Sequence, residues 1–152
     1  MPTGWRVTKA KYSRQGFSGL GALLYGGRWN SKGGAVVYTS DSLPLAILEI
    51  LVHLPHPRHL RGRGAAPVEI PKALIESVGR LPRGWQKNIR ITQRVGDKWL
   101  TSASSPVLEV PSALYRCGEE QPLNYLLNPS HPLFAKLEIR RSRSLDVDPR
   151  IA

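Results

Sequence analysis

The sequence predicts an α+β fold, from its glycine and proline content and from the order of its elements. The 14 glycines and 13 prolines are spread over all 152 residues, which favours many short elements joined by turns over a helix bundle. Predicted strands outnumber predicted helices, and the regular strand–helix alternation of a parallel α/β protein is missing. The length is sufficient for one hydrophobic core, so we assign a single domain to residues 1–152.

In the first half of the chain, strand and hairpin patterns precede one helix. GWRVTK predicts the first strand, and RWNSKGGAVVYTS predicts a β-hairpin, because two short runs flank a Ser-Lys-Gly-Gly turn. A helix follows, for which Asp41 or Ser42 is a suitable N-cap, with Pro44 in the first turn. Two prolines end this helix at about Leu54.

The second half is predicted to add strands around an irregular or helical region. APVEIP predicts a strand, and PKALIESVG a short helix or turn. The stretch from LPRGWQ to DKWLTS is expected to be irregular or helical, with Trp85 and Trp99 in the core. PVLEVPSAL predicts a strand ending at Pro111. NYLLNPSHPLFAKLEIRRS predicts a short apolar turn, a proline-containing loop and a final strand.

The chain carries a large positive charge, with a formal net charge of +11. Basic residues cluster in PRHLRGRG and EIRRSRS, which leaves three classes of acidic partner open: a nucleic acid, an acidic protein or a phosphate-bearing small molecule. Neither cluster is interleaved with aromatic residues that could stack on bases. The alternative is a solvated basic surface without a partner.

Cysteine and histidine usage argues against a metal site. The single Cys117 cannot form an internal disulfide or a thiolate cluster, and prolines break the spacing of His53, His56 and His59. No apolar run approaches the roughly 20 residues of a membrane-spanning helix, and the N-terminal residues lack an apolar signal core. We therefore expect no metal and a cytoplasmic location.

The predicted helix carries a carboxylate on an otherwise apolar surface. At about 100° per residue, Ser42, Glu49 and His53 share a narrow arc, and apolar side chains cover the rest. Such a helix is expected to be buried, and an unpaired buried charge is costly, so Glu49 must meet a partner or line a cavity. The alternatives are a structural ion pair or an edge position for Glu49, and a packing or capping role for His53.

The predicted hairpin supplies two further candidates. Arg28 follows two glycines, where the backbone can approach a ligand closely, and lies in a strand whose predicted partner carries Tyr38. Alternation places Tyr38 on the same face as Val36 and opposite Val37, among apolar neighbours. Arginine suits a bidentate grip on phosphate and tyrosine suits stacking on a flat ring. A surface arginine and an edge-strand tyrosine are the alternatives.

Ser112 follows Pro111 at the end of a predicted strand, where a serine is more often a turn residue or a helix cap. The nucleophile-elbow pattern G-x-S-x-G does not surround it. GGRWNSKGG lacks the G-K-[ST] ending of a P-loop, and no G-x-G-x-x-G fingerprint occurs. Hydrolases of the serine-triad type, P-loop enzymes and Rossmann enzymes are therefore not indicated.

Five motifs together resemble the RES domain family, the toxins of toxin–antitoxin modules paired with Xre-type antitoxins. They cover nearly the whole chain in the order GGRWNSKGGAVVYTSDSLPLAILEILVHL, GDKWL, VLEVPSAL, NYLLNPSHP and DPRIA. The resemblance implies the Arg, Glu and Ser of the family name at Arg28, Glu49 and Ser112, and the family's tyrosine at Tyr38. It also implies a fold similar to the ADP-ribosyltransferases, with a split sheet around an NAD pocket.

The resemblance implies a bacterial toxin that depletes NAD+ by cleaving the nicotinamide–ribose bond, as a glycohydrolase or a phosphorylase. Glu49 would stabilise the ribose cation and could also hold the ribose hydroxyls. Arg28 would grip the pyrophosphate or the adjacent ribose, and Tyr38 would pack on the nicotinamide side. Ser112 would orient ribose or ring, and His53 would line the substrate site. NAD+ is a substrate here and no cofactor is expected.

The expected partners are an Xre-type antitoxin and NAD+, with a homodimer bridged by the antitoxin. No membrane contact is expected, and no nucleic-acid binding by the toxin alone. The basic clusters are expected to face an acidic antitoxin. Two alternative functions stay open, a protein ADP-ribosyltransferase using the same pocket and a basic toxin that targets RNA.

Overall fold

A mixed sheet of eight strands organises the fold, as shown by a computed structural model that describes residues 1–9 and 15–152. The expected α+β class is confirmed. The strands are β1 (Thr3–Lys9), β2 (Val37–Ser40), β3 (Arg63–Glu69), β4 (Ile75–Ser77), β5 (Val107–Pro111), β6 (Leu123–Leu127), β7 (Glu138–Ile139) and β8 (Arg143–Ser144). The helices are α1 (Leu20–Tyr25), α2 (Leu43–Leu51) and α3 (Ile89–Ser102). In the described ranges, no helix has the length and apolarity needed to cross a membrane.

The sheet has two halves, β4-β5-β6-β2 and β1-β3-β7 with β8, joined by one residue pair between β2 and β1. Its order is β4-β5-β6-β2-β1-β3-β7, with β8 also on β3, and among the described strand pairs only β4 and β5 run parallel. β1 pairs with β3 from end to end, whereas its register with β2 is limited to Trp5 opposite Ser40. Because β1 and β2 separate beyond this pair, the sheet opens between them. The expected split sheet is therefore confirmed.

Local sequence explains where the two longer helices begin and end. The hydroxyl of Ser42 accepts the N–H of Leu45 at 3.3 Å and caps α2. Asn88 caps α3 in the same way through the N–H of Arg90, and α3 ends where Ala103 adopts a left-handed conformation. The helix predicted after Asp41 is thus confirmed, with Ser42 as its cap, but it ends at Leu51 and not at the predicted Leu54.

Most of the predicted strands and core residues are found. β1, β3 and β5 lie where GWRVTK, APVEIP and PVLEVP predicted them, and Trp85 and Trp99 are buried. Tyr38 packs in one apolar cluster with Val36, while Val37 belongs to the cluster on the other face of the sheet, as alternation predicted. PKALIESVG forms a helical turn followed by the short strand β4.

The predicted hairpin between Arg28 and Tyr38 is wrong. The chain at Gly27 turns back on itself and pairs with Asn30, while β2 pairs with β6 and β1. The cause is the side chain of Asn30, which is fully buried and lies within hydrogen-bond distance of the carbonyls of Ala22, Ser31 and Gly34. An amide whose two N–H donors are shared among three backbone carbonyls stabilises a compact loop in place of a strand.

Two further expectations are corrected. NYLLN was predicted as an apolar turn, but its first four residues belong to the strand β6. The strands β2 and β5 flank β6 and supply its hydrogen bonds. The helix α2 is not buried on all its apolar sides: only Leu45 and Ala46 are buried, and Leu48 remains 43% exposed. The pattern predicted burial because it shows which side chains are apolar but not how many neighbours surround them.

Candidate active site

The opening between β1 and β2 contains a cavity of about 500 Å³, within the range of small-molecule sites. β1 contributes Trp5, Arg6 and Val7 to its wall, and β2 contributes residues 38–40. The loop before β2, the helix α2 with the two residues after it, and residues 113–114 add to the lining, and α1, α3 and β6 contribute Ala22, Ile89 and Asn124. Among the lining residues that the structure describes, Glu49 is the one carboxylate.

Glu49 is held in place through a single carboxylate oxygen. Its Oε1 accepts hydrogen bonds from Ser112 Oγ and from Asn124 Nδ2, each at 2.7 Å. Asn124 is itself oriented by Ser40, whose hydroxyl donates to Asn124 Oδ1 at 2.8 Å. The other oxygen, Oε2, makes no hydrogen bond to the part of the chain that the structure describes. The carboxylate is therefore fixed on one side and available to a ligand on the other.

Ser112 stands behind Glu49 and does not line the cavity. It is 3% exposed, and its hydroxyl donates to Glu49 while accepting the N–H of Leu114 at 3.2 Å. Its backbone N–H donates to the carbonyl of Pro122 at 2.8 Å, which fixes the end of β5. This arrangement suits a residue that orients the carboxylate.

Tyr38 lines the cavity and uses its hydroxyl to shape the loop before β2. The hydroxyl donates to Asn30 Oδ1 at 2.6 Å and accepts the N–H of Trp29 at 3.1 Å. Burial raises the pKa of Tyr38 above its ordinary value, so the phenol stays protonated and can donate. Gly27 allows this contact, because a Cβ there would lie 2.6 Å from the hydroxyl oxygen.

Two arginines line the cavity. Arg28 donates from Nη1 to the carbonyl of Gln86 at 3.2 Å. Arg6 donates from Nε to the carbonyl of Gly16 and from Nη1 to the carbonyl of Tyr38, the latter at 3.0 Å. Burial lowers the pKa of Arg6 to about 10, so the guanidinium remains charged at neutral pH. Neither arginine forms an ion pair within the described ranges.

The predicted site residues are brought to one cavity with one exception. Arg28, Tyr38, Glu49 and His53 all line it, whereas Ser112 reaches it only through Glu49. His53 is exposed, just beyond the end of α2. Residues from a loop, a strand and a helix thus converge where the sheet opens.

Sequence reasoning missed Arg6 and Asn124. Arg6 lies between Trp5 and Val7 in a segment predicted as a strand, and a cation in such a strand is itself a signal of a buried charged site. Asn124 lies in the segment predicted as a turn, where asparagine is a common residue and therefore indicates no functional site. Its role depends on β6 lying beside β2, a pairing of distant segments that local sequence does not reveal.

The cavity can bind a ligand that combines anionic groups with a centre that becomes positive. The two guanidinium groups have spare N–H donors, because each guanidinium carries five. The fixed carboxylate supplies a negative charge without needing to reorient. These features define a class of small α+β domains whose ligand site lies between the two halves of a split sheet.

Comparison with known proteins places the chain in a particular family. Residues 3–148 match the RES domain, and the chain belongs to the RES domain family. It is 35% identical over 156 residues to the Prs ADP-ribosylating toxin of Sphingobium sp. (strain YBL2), covering 97% of this chain and 94% of that protein. It is 36% identical over 154 residues to Toxin Res of Yersinia enterocolitica serotype O:8 / biotype 1B, covering 97% of each.

A solved structure shares the fold. The chain superimposes on a chain of the M. tuberculosis MbcT–MbcA toxin–antitoxin complex with a TM-score of 0.72, covering 95% of this chain and 84% of that one. The sequence identity is 18%, so this similarity concerns the fold.

Proposed function

We propose that the protein is the toxin of a toxin–antitoxin system and that it cleaves the nicotinamide–ribose bond of NAD+. The observation that carries the proposal is the carboxylate of Glu49 at the wall of a cavity with two arginines. Two donors fix its Oε1, while Oε2 has no hydrogen-bond partner among residues 1–9 and 15–152. Membership of a family whose relatives are named toxins supports the toxin role.

The proposed reaction replaces nicotinamide at C1′ of the ribose. The C1′–N bond breaks, nicotinamide leaves as a neutral molecule with the bonding electrons, and positive charge develops on C1′ and the ring oxygen. The negative charge of Glu49 stabilises this oxocarbenium-like state. An oxygen of water or phosphate then bonds to C1′, and water loses one proton in that step.

The arginines account for the other end of the substrate. The pyrophosphate of NAD+ carries two negative charges, and Arg28 and Arg6 are the two guanidinium groups that line the cavity. Tyr38 presents an aromatic face in the same cavity and packs on the nicotinamide side. Ser112 acts on the substrate through Glu49, whereas Asn124 orients Glu49 and also lines the cavity itself.

Protein ADP-ribosylation is the second candidate, because one relative is named an ADP-ribosylating toxin. It would use the same cavity and the same bond cleavage, with a protein side chain as the acceptor. A third candidate, attack on RNA, rests on the net charge alone.

Three parallel incubations of the purified protein separate these candidates. NAD+ alone should yield free nicotinamide in a catalytic amount, without any protein acceptor. Labelled protein bands in a cell lysate, with little release from NAD+ alone, would favour the transferase. Loss of RNA without any nicotinamide release would overturn the proposal.

Replacing Arg28 with lysine tests the proposed grip on pyrophosphate. Arg28→Lys keeps the positive charge but loses the planar fork that binds two oxygens at once. We expect NAD+ affinity, measured by calorimetry, to fall at least about tenfold, because losing one of two hydrogen bonds to charged oxygens costs roughly 1.5–3 kcal/mol. Wild-type affinity in this variant would show that Arg28 does not hold the pyrophosphate.

We further propose that the basic clusters bind an acidic antitoxin of the Xre type. The two clusters are about 80 positions apart in the chain but lie on one sheet edge, because β3 pairs with β8. Ala65, just after the first cluster, pairs with Arg143 of the second, and the carbonyl of Arg63 accepts the N–H of Leu145. Arg140 is engaged with Glu69 and Glu138, whereas Arg61 and Arg143 form no ion pair with any residue that the structure describes.

Charge reversal on this edge should slow antitoxin association without affecting catalysis. In the double variant Arg61→Glu, Arg143→Glu, we expect the association rate to fall and its salt dependence to flatten, because complementary charge mainly steers encounter. Stopped-flow mixing with the antitoxin measures this. NAD+ turnover by the free toxin should stay at the wild-type level.

The matched control is the double variant Arg80→Glu, Arg83→Glu, which makes the same charge change. Both residues lie in the segment between β4 and α3, and β4 is at the opposite edge of the sheet. Equal slowing by both variants would indicate a general charge effect. Unchanged association with lost turnover in the first variant would assign the edge to the substrate.

A further inference from the structure

The helix α3 contacts the loop that carries Arg28 (residues 27–31) at four of its five residues. Gln93 Nε2 donates to the carbonyl of Gly27 at 3.0 Å, and the hydroxyl of Thr92 donates to the carbonyl of Arg28. One turn further along, Gly96 lies against the carbonyl of Trp29, where a Cβ would approach to 1.6 Å. Asp97 then accepts the N–H and the hydroxyl of Ser31, at 2.8 and 2.6 Å.

These contacts follow from the helical spacing of α3. Residues 92 and 96, and likewise 93 and 97, are four positions apart, so these residues share one face of the helix. The loop runs along this face. The contacts at residues 27–29 are made to the loop backbone, so the side chain of Arg28 stays available to the cavity. The guanidinium also donates to the carbonyl of Gln86, which lies in the short helical turn three residues before α3.

Thr92 is the central contact. It is fully buried, and its single hydroxyl proton has two acceptors in reach, the carbonyl of Arg28 and, at 3.1 Å, the carbonyl of Ile89 in its own helix. The contact to Arg28 is the shorter one. A loop carbonyl buried against a helix needs a donor, and without Thr92 the carbonyl of Arg28 would lose the one that the described residues supply.

The opposite side of the loop is fixed as well. The hydroxyl of Tyr38 accepts the N–H of Trp29, and the two amide N–H donors of Asn30 are shared among three carbonyls around the turn. Arg28 is therefore the residue at which two sets of contacts meet, one from α3 and one from β2. Its position relative to Glu49 is set by this frame and not by any ion pair of its own within the described ranges.

We propose that Thr92 and Gln93 of α3 are positioning residues for Arg28, and that they hold its guanidinium where the anionic part of the substrate binds. This inference rests on the proposed function, since it assigns Arg28 to the pyrophosphate of NAD+. A positioned cation contributes to substrate binding before and during the reaction alike, so loss of the frame raises KM more than it lowers kcat.

The test compares two substitutions of Thr92 that separate the hydroxyl from the packing. Thr92→Val keeps the shape and removes the hydroxyl, whereas Thr92→Ser keeps the hydroxyl and removes a buried methyl group. We expect KM for NAD+ to rise about tenfold in Thr92→Val, which is the loss of a buried hydrogen bond of roughly 1.4 kcal/mol. Thr92→Ser should retain the wild-type KM, although its melting temperature falls.

Thr101→Val is the matched control on the same helix, because the hydroxyl of Thr101 donates only to the carbonyl of Asp97, within α3. It should leave KM unchanged. A purely structural role of Thr92 would make KM independent of the hydroxyl, so equal KM values in Thr92→Val and Thr92→Ser would overturn the inference.

Amide hydrogen exchange of residues 27–31 provides a readout that does not depend on turnover. Thr92→Val should exchange faster than wild type in this loop alone, and Thr92→Ser should not. If the wild-type protein releases no nicotinamide, the proposed function is wrong. The exchange data still test whether Thr92 anchors the loop of residues 27–31 to α3. If exchange is unchanged in Thr92→Val, the anchoring itself is refuted.

Discussion

Glu49→Gln is expected to reduce NAD+ turnover at least a hundredfold while the protein stays folded. Glutamine has the same shape, and its carbonyl oxygen can accept the hydrogen bonds that Ser112 and Asn124 donate to Oε1. The negative charge is lost, and with it about 3 kcal/mol or more of transition-state stabilisation. Nicotinamide release at saturating NAD+ measures the effect, because it falls on kcat.

Glu119→Gln is the control for Glu49→Gln. It removes the same charge from an exposed position and should leave turnover unchanged. Thermal unfolding of both variants checks that neither has lost its fold. Near-normal release of nicotinamide by Glu49→Gln would mean that a developing ribose cation does not depend on this carboxylate.

Gly96→Ala is expected to have the second largest effect, on stability and substrate binding together. In an open helix this change would stabilise the protein by about 1 kcal/mol. Here the new Cβ would lie 1.6 Å from the backbone oxygen of Trp29, so α3 and the loop must separate. We expect a net loss of about 2 kcal/mol, which corresponds to a fall in melting temperature of roughly 4–8 °C.

Gly21→Ala provides the comparison, since a Cβ at Gly21 in α1 would meet no atom within 4 Å. It should be neutral or slightly stabilising. Calorimetric NAD+ affinity should fall in Gly96→Ala and stay unchanged in Gly21→Ala. If Gly96→Ala were as stable as wild type, the close contact between α3 and Trp29 would not exist in solution.

The sequence predicted the elements whose signals are local. The strands β1, β3 and β5 and the Ser42 cap of α2 were predicted because alternation and capping depend on neighbours in the chain. The hairpin was mispredicted because the buried side chain of Asn30 determines the loop, and its acceptors are known only once the loop has folded.

The candidate site was predicted in part for the same reason. Arg28, Tyr38 and Glu49 lie within about 20 residues of one another, so one continuous motif identified them. Arg6 and Asn124 come from strands far away in the chain. Arg6 reaches the carbonyl of Tyr38 because β1 pairs with β2, and Asn124 reaches Glu49 because β6 pairs with β2. The contribution of α3 was invisible for that reason too, since it depends on contacts about 65 residues apart.

A crystal structure of Glu49→Gln with bound NAD+ tests the proposed reaction most directly. The proposal predicts that C1′ of the nicotinamide ribose lies roughly 3–4 Å from the side chain at position 49, as a near-attack geometry requires. It also predicts that the pyrophosphate contacts Arg28 and Arg6. The opposite orientation, with the adenine end at position 49 and the pyrophosphate away from both arginines, would contradict it.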